Sequence, residues 1–236
     1  MIEYSTGGDV RPSVIAIDGP AGSGKTVVGQ RIAAALGYVY LDTGAFYRAL
    51  TWLALARGID PRDGPCLAAL ARQATIEIER APGDAPPGYR VRVNGQDITA
   101  ELASPAVAQA VSIVAAHPEV RAEMLPLQRQ VARRGQVVMA GRDIGTVVVP
   151  DAGLKLYLDA PLPVRVARRV SQLRAMGQAV DPAAVAQEMA ERDRLDQARA
   201  VAPLRPAPDA IIIDTSTMTI EEEVARVLDI IAGLDP

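Results

Sequence analysis

The fold class of this chain is determined by the stretch Val14-Ile15-Ala16-Ile17-Asp18-Gly19-Pro20-Ala21-Gly22-Ser23-Gly24-Lys25-Thr26. Its first four residues are apolar, which predicts a short buried strand. Residues 19–26 match the pattern GxxxxGK[ST], and apolar residues recur at helical spacing directly afterwards. The stretch therefore predicts a strand, a glycine-rich phosphate-binding loop (the P-loop, residues 19–26) and a helix in succession.

A loop of this pattern binds the phosphates of a nucleoside triphosphate. Its glycines let backbone N–H groups turn inward around phosphate oxygens, and the positive end of the following helix adds to that field. Lys25 is expected to bridge the β- and γ-phosphates, and the Thr26 hydroxyl to ligate Mg²⁺. The predicted nucleotide-binding residues are Gly19, Pro20, Ala21, Gly22, Ser23, Gly24, Lys25 and Thr26.

Outward from this loop, short apolar strands alternate with amphipathic helices. Further strands are predicted at 38–41, 137–139, 154–158 and 211–213. Gly37 is expected to end the helix after the P-loop with a left-handed cap, and Thr219 with Glu222 is expected to form a capping box at the start of the last helix. This alternation is typical of a parallel sheet flanked by helices. The exception is 75–99, where apolar and polar residues alternate on either side of a Pro/Gly-rich turn, so an antiparallel hairpin insertion is expected there.

The composition is that of a globular protein. The 236 residues are 49% hydrophobic and 22% charged, which excludes disordered and collagen-like classes. One cysteine and one histidine exclude an intramolecular disulfide and a Cys/His zinc site, and Cys66 is expected in the core. Because no apolar run reaches the roughly 18 residues of a membrane span and no signal peptide is recognisable, a cytoplasmic protein without a membrane partner is expected.

Arginine supplies nearly all of the positive charge. The chain has 25 basic residues, only Lys25 and Lys155 are lysines, and the net charge is −3. Such a chain is a poor match for a nucleic-acid polymer, which needs a basic face. Several arginines nevertheless lie between Arg165 and Arg199, and guanidinium groups suit phosphate oxygens. A small phosphorylated ligand is therefore expected, with a helical lid closing over it.

Two further segments place polar side chains after predicted strands. Residues 41–48, LDTGAFYR, form a tight turn and open a helix that carries Arg48, which is either a phosphate ligand or a surface arginine. Arg142 and Asp143 follow the strand 137–139, and ligands of open α/β sheets bind at such carboxyl ends.

One face of the predicted helix 182–200 carries charged residues at helical spacing. Arg192, Asp196 and Arg199 are spaced i, i+4, i+7 and so share that face. They are either ligands of the phosphorylated substrate or, for Arg192 and Asp196, a solvated surface pair worth only about 0.3–0.5 kcal/mol.

The rest of the sequence favours a kinase among the proteins that share the P-loop. There is no NKxD motif of the kind that reads guanine in GTPases. The strand ending at Asp159 lacks the following glutamate that is common in water-activating ATPases.

Taken together, the ordered motifs resemble the bacterial cytidylate kinase family, a nucleoside monophosphate kinase group of P-loop kinases. The resemblance covers 13–234 and rests on IDGPAGSGKT, LDTGAFYR, SIVAAHPEVR, GRDIGTVVVPDA, ERDRLDQARAVAPL and IIIDTSTMTIEEEV. It implies an α/β fold with a five-stranded parallel sheet flanked by helices, an antiparallel hairpin insertion and a mobile helical lid. The implied organisation is a flexible tail 1–12, a core of 13–41, 135–161 and 201–234, a CMP-binding region 42–134 with the insertion at 75–99, and a lid 162–200.

The resemblance also implies the site residues. Those expected to bind substrate are Thr43, Arg48, Ser112, Arg121, Arg142, Asp143, Arg192, Asp196 and Arg199. Of these, Arg48, Arg142 and Arg192 are expected on the CMP phosphate, Ser112, Arg121 and Asp143 around cytosine, and Asp196 at the ribose hydroxyls. Lys25, Arg142 and Arg192 are expected to be catalytic. The chain departs from the family pattern at Ala140, Leu195 and Gln197, and Thr43 replaces the usual serine.

The implied activity is Mg²⁺-assisted transfer of the ATP γ-phosphoryl group to CMP or dCMP, in pyrimidine nucleotide metabolism, by a monomer. One alternative is a P-loop kinase of a nucleoside or small-metabolite hydroxyl, which would use Asp42 or Asp18 as a base. The other is a nucleotide-dependent switch that has no small-molecule acceptor.

Overall fold

A central parallel sheet with helices around it organises the structure, a computed structural model that describes residues 11–81 and 88–234. In chain order the strands are β1 (Val14–Asp18), β2 (Val39–Asp42), β3 (Ile76–Arg80), β4 (Tyr89–Val93), β5 (Gln96–Asp97), β6 (Val137–Ala140), β7 (Leu154–Asp159) and β8 (Ile211–Asp214). The helices are α1 (Lys25–Leu36), α2 (Gly44–Ala56), α3 (Gly64–Gln73), α4 (Pro105–Val114), α5 (Pro118–Ala132), α6 (Leu162–Ala175), α7 (Pro182–Gln197) and α8 (Ile220–Ala232).

The five-stranded sheet has the order β2-β6-β1-β7-β8, and every neighbouring pair is parallel. The predicted five-stranded parallel sheet is therefore confirmed. Central strand β1 is buried along its whole length because helices cover both faces of the sheet. Its register pairs Ile17 with Ala140 of β6 and Asp18 with Tyr157 of β7. The loops that follow β1 and β6 consequently begin side by side at one edge of the sheet.

Helix α1 packs closely on the sheet, and this packing fixes the position of Lys25, its first residue. A Cβ atom at Gly29 would lie 2.6 Å from Cε2 of Tyr40 in β2, so only glycine allows this approach. Val28 and Ile32, on the same face, are fully buried. The predicted glycine cap is also confirmed, since Gly37 has φ 73° and ends the helix.

The insertion is a small antiparallel sheet in the order β3-β4-β5. The hairpin predicted at 75–99 is confirmed, and the short strand β5 extends it by a third strand. The inward residues of β4 are Tyr89, Val91 and Val93, which are buried. Most of the predicted Pro/Gly-rich turn, 82–87, lies outside the described residues.

Two sequence expectations differ from the structure at the chain start and at Cys66. Of the predicted tail, residues 1–10 lie outside the described residues, and Pro12 is buried against Gly153. The expectation that Cys66 is a core residue is wrong, because its side chain is exposed in the first turn of α3. Asp63 caps that helix by accepting a hydrogen bond from the Cys66 N–H at 3.0 Å, and Pro65 beside Cys66 is exposed as well.

The region predicted as a lid consists of α6 and α7, which pack on each other. Their contact is a small apolar cluster of Val170, Val185 and Met189, separate from the main core. No helix among the described residues is long and apolar enough to cross a bilayer.

Helix α8 begins with the expected capping box but buries a carboxylate one residue later. Thr219 and Glu222 cap each other's backbone N–H groups, as predicted. Glu223 is 0% exposed, and neither of its oxygens has a hydrogen-bond partner in the described part of the chain. Arg168 Nη2 lies 3.8 Å from Oε1. Burial raises the pKa of Glu223 to about 7.

This raised pKa predicts a dependence of stability on pH. Between the usual glutamate pKa and about 7, the unfolded chain loses the Glu223 proton while the folded chain keeps it. The free energy of unfolding should therefore fall as the pH rises through this range, by on the order of 3 kcal/mol. Glu223→Gln should remove this part of the slope in urea denaturation at pH 5 and pH 8.

A matched control for this prediction is Glu221→Gln. Glu221 lies on the same helix with an exposed side chain and pairs with Arg31. In this variant, the free energy of unfolding should differ between pH 5 and pH 8 by as much as in the wild type. Equal slopes in the wild type and in Glu223→Gln would show that Glu223 does not titrate as described.

Candidate active site

The P-loop connects β1 to α1 in a backbone conformation that requires glycine. Gly19, Gly22 and Gly24 have φ values of 145°, 77° and 95°. A Cβ atom at Gly19 would lie 2.1 Å from the Leu158 carbonyl oxygen, so the loop passes directly over the end of β7. The glycines predicted from the motif are thus required by the local geometry as well as by phosphate binding.

Lys25, the first residue of α1, is buried against this loop. Its Nζ donates to the Pro20 carbonyl oxygen at 2.5 Å and to Ser23 Oγ at 3.3 Å. Burial and the charge of Arg142 lower the Lys25 pKa well below its usual value. Thr26 follows with an exposed side chain at the helix N-terminus. An anion at the loop would stabilise the charged form of Lys25.

The segment after β2 holds an arginine at the same edge of the sheet. Arg48 Nη2 donates to Asp42 Oδ2 at 2.9 Å and to the hydroxyl of Tyr89, in the insertion, at 3.3 Å. Burial alone would raise the Asp42 pKa, but the Arg48 guanidinium outweighs it and holds that pKa below its usual value. Thr43 Oγ1 donates to the Ala140 carbonyl oxygen at 3.0 Å. Arg48 is therefore a partly buried, ion-paired arginine rather than a free surface one, and Asp42 also caps the helix by accepting from the Gly44 N–H.

The turn after β6 meets helix α7 through an ion-pair network. Arg142 Nε donates to Asp196 Oδ2 at 2.8 Å, and Arg199 donates to Asp196 Oδ1. Asp196 is only 2% exposed, and these two arginines hold its pKa below the usual value against the effect of burial. The alternative of a solvated Arg192–Asp196 surface pair is wrong, because Asp196 is buried and bonded to Arg142 and Arg199.

Arg192 completes this group of arginines, and the charges of Asp196 and Asp42 partly offset the effects that lower its pKa. Within the described ranges it has no ion pair, and its buried Nε has no hydrogen-bond partner. Burial and the charge of Arg142 lower its pKa to about 10. Because Arg142 and Arg192 both also depress the Lys25 pKa, the three cations lie within electrostatic reach of one another. This cationic cluster of Lys25, Arg142 and Arg192 joins the P-loop to the lid.

Asp18 links the P-loop strand to the turn that holds Arg142. Its two oxygens accept hydrogen bonds from the Ile144 and Gly145 N–H groups, each at 2.8 Å. Asp18 is 3% exposed, and burial raises its pKa to about 6. Sequence reasoning considered Asp18 only as a catalytic base and missed this positioning role. The signal for it is the position of an acidic residue at the last residue of the central strand.

A cavity of about 210 Å³ opens beside this network, between α5, α2 and the turn after β6. Its polar lining includes Tyr47, Arg121, Gln128 and Asp143. Arg121 donates to Asp143 Oδ2, and its guanidinium lies over the Tyr47 ring, 5.3 Å from the centroid. Arg121 and Asp143 are 6% and 5% exposed. The cavity therefore offers a fixed donor and a fixed acceptor to a flat polar ligand.

Comparison with known proteins assigns this chain to one family. The family model described as cytidylate kinase matches residues 15–233. The chain belongs to the cytidylate kinase family. The cytidylate kinase of Geobacillus kaustophilus (strain HTA426) is 49% identical over 217 residues, which are 92% of this chain and 95% of the relative. That of Symbiobacterium thermophilum (strain DSM 24528 / JCM 14929 / IAM 14863 / T) is 48% identical over 218 residues, 92% of this chain and 95% of the relative.

Among solved structures, a gluconokinase from Sinorhizobium meliloti 1021 is similar with a TM-score of 0.49 and 16% sequence identity. The match covers 94% of this chain and 93% of the gluconokinase. The assignment to the cytidylate kinase family does not rest on it.

Not every residue expected in a cytidylate kinase site borders the 210 Å³ cavity. Ser112, on α4, is half-buried but does not line the 210 Å³ cavity. Two arginines of the lid helix α6 contact protein groups. Arg168 donates to Thr215, and Arg169 to Gln172.

Proposed function

We propose that this protein transfers the γ-phosphoryl group of ATP to CMP or dCMP and releases ADP with CDP or dCDP. The observation that supports this most is the cationic cluster of Lys25, Arg142 and Arg192. Lys25 belongs to the nucleotide loop, Arg142 directly precedes Asp143 of the cavity lining, and Arg192 forms no ion pair among the described residues. Such a site is suited to two phosphates that approach each other.

The acceptor in this reaction is itself an ionised phosphate, so the reaction requires alignment and charge neutralisation rather than a base. Lys25 would act on the β- and γ-phosphates, and Arg48, Arg142 and Arg192 on the CMP phosphate. The carboxylates that could serve a hydroxyl acceptor are already engaged. Asp18 accepts from two backbone N–H groups, and Asp42 accepts from Gly44 N–H and Arg48. This arrangement disfavours a kinase of neutral alcohols.

Magnesium fits the residues present at the loop. Mg²⁺ commonly takes one or two protein oxygens and completes its shell with phosphate and water. The exposed Thr26 at the N-terminus of α1 supplies one hydroxyl, and in the described part of the chain no cluster of three His, Cys, Asp or Glu side chains competes for a metal. We propose that Thr26 holds Mg²⁺ together with ATP, and that the metal neutralises phosphate charge.

The cavity beside Arg121 and Asp143 would hold the cytosine ring, with Thr43 and Ser112 nearby in the substrate site. Asp196 and Arg199 would lie at the ribose and phosphate. We further propose a monomer that acts in the cytoplasm on small molecules, without nucleic-acid or membrane partners. Light scattering after size exclusion measures the oligomeric state directly.

The experiment that tests the function is steady-state ADP formation with CMP, dCMP, UMP, AMP and cytidine as acceptors. CMP and dCMP should stimulate ADP formation, and cytidine should not. Phosphorylation of cytidine would instead indicate a hydroxyl kinase. Failure of every acceptor to stimulate would favour a nucleotide-dependent switch.

Removing the charge of Asp196 should impair use of CMP. Asp196→Asn should lower kcat/KM for CMP about 10- to 100-fold, because one of its two buried acceptor oxygens becomes an amino group that faces an arginine and the negative charge between Arg142 and Arg199 is lost. Glu191→Gln, an exposed change on the same helix, is the control and should leave kcat/KM unchanged. A lower melting temperature with unchanged kinetics would show that Asp196 is only a structural ion-pair partner.

A further inference from the structure

The tip of the P-loop is in direct contact with both lid helices. A Cβ atom at Gly22 would lie 3.1 Å from Cε of Met189 in α7 and 3.2 Å from Cβ of Arg165 in α6. Ala21, the residue before Gly22, also packs against the apolar cluster of Val170, Val185 and Met189 that joins the two helices. A movement of the loop tip therefore displaces α6 and α7, because packed interiors do not deform freely.

Arg165 makes this contact specific. Its side chain is buried, and its three donor groups reach three different segments. Nε donates to the Ala160 carbonyl oxygen at 2.7 Å, Nη1 to the Ala21 carbonyl oxygen of the P-loop at 3.1 Å, and Nη2 to Asp193 Oδ2 of α7 at 2.7 Å. One planar guanidinium thus fixes the P-loop relative to α7.

Asp193 is adjacent in sequence to the cation that the proposed function assigns to the acceptor phosphate. Arg192 contributes to the cationic cluster, whereas Asp193 bonds Arg165. The second oxygen of Asp193, Oδ1, is buried and has no hydrogen-bond partner among the residues described. Because the two residues share one helical turn, a displacement of Asp193 also moves Arg192.

We propose that Arg165 and Asp193 are positioning residues that couple occupation of the P-loop by ATP to the placement of Arg192, so that ATP and CMP bind cooperatively. This inference rests on the proposed function, since it assumes CMP as the acceptor. Neither residue touches a substrate in this scheme. Their effect is a coupling between two binding sites, which is reciprocal and can be measured from either side.

The test is calorimetric titration of CMP into the full chain, with and without saturating Mg²⁺ and a non-hydrolysable ATP analogue. For the wild type, the analogue should lower the Kd of CMP by about 5-fold or more, within the usual range of coupling between sites. In Asp193→Asn the analogue should lower the Kd of CMP by less than about 2-fold, while the Kd of CMP measured without the analogue changes little. A purely structural role would change both titrations equally.

Three companion variants keep the result interpretable. Asp193→Glu retains the charge and should restore the coupling, and Arg165→Lys retains charge without the planar fork and should reduce it. Glu191→Gln, which removes an exposed carboxylate that pairs with Arg194 on α7, should behave as the wild type. Circular dichroism and melting temperatures establish that each variant is folded.

Two results would overturn the inference. One is a wild type that phosphorylates CMP but binds it equally well with and without the analogue. The other is that the analogue lowers the Kd of CMP by the same factor in Asp193→Asn and in Arg165→Lys as in the wild type. A wild type that does not phosphorylate CMP at all would instead overturn the proposed function, and this inference with it.

Discussion

Replacement of Lys25 by methionine is expected to lower kcat for CMP phosphorylation at least about 100-fold. The ammonium group of Lys25 would stabilise charge on the transferring phosphoryl group, and methionine keeps the length of the side chain without that charge. The fold should persist, because the hydrogen bonds of Lys25 Nζ go to Pro20 and Ser23 of its own loop. Steady-state ADP formation and a thermal denaturation curve measure the two effects separately.

Arg31→Gln provides a control on the same helix. Its side chain is 49% exposed and pairs with Glu221. Arg31 lies in the middle of α1, whereas Lys25 is the first residue of that helix. It removes one positive charge from α1 and should leave kcat unchanged. Wild-type turnover in Lys25→Met would contradict the assignment of residues 19–26 as the catalytic P-loop.

The parts of the fold that the sequence predicts are those set by local patterns. The loop, the strands on either side of the central strand and the capping box of α8 each depend on residues within a few positions of one another. Helix α3 was missed because Gly64 and Pro65 are typical of a turn as well as of a helix start. The cap from Asp63 decides between the two, and its geometry is visible only in the structure.

The site was predicted less completely because its partners are distant in sequence. Asp196 shares a helix with Arg192, and spacing alone favoured that pair, but Arg142 comes from the turn after β6. The arginines between Arg165 and Arg199 were described only as suited to phosphate oxygens, and in the structure Arg165 binds Asp193 and backbone carbonyls. In both cases tertiary packing selected one partner among several that helical spacing permits.

Discrimination between CMP and UMP is the second effect that we expect to be large. It follows from the difference between the hydrogen-bonding edges of cytosine and uracil. Cytosine presents an N4 amino donor beside an N3 acceptor, whereas uracil presents an O4 acceptor beside an N3–H donor. An ionised carboxylate only accepts hydrogen bonds, and a guanidinium only donates them. Asp143 at N4 and Arg121 at N3 and O2 would therefore fit cytosine and oppose uracil.

The structure supplies the conditions that such discrimination needs. Asp143 and Arg121 are almost fully buried and bonded to each other, so neither can turn easily to suit a different base. Asp143 Oδ2 is occupied by Arg121, which leaves Oδ1 for an amino group. Arg121 is further fixed by the Ala115 carbonyl oxygen at 3.2 Å. Opposed polar groups in such a cavity cost on the order of 1–3 kcal/mol each.

Asp143→Asn should lower kcat/KM for CMP and narrow the preference for CMP over UMP by roughly 10- to 100-fold. The asparagine oxygen can still accept from Arg121, while its amino group places a donor where the carboxylate had an acceptor. Parallel kinetics with CMP and UMP measure the ratio, and a melting temperature measures any loss from the broken ion pair. Glu123→Gln, which removes a partly exposed carboxylate from α5, should leave the ratio unchanged. If Asp143→Asn is folded and affects both substrates equally, Asp143 does not read the base, and discrimination must come from Arg121 and the shape of the cavity.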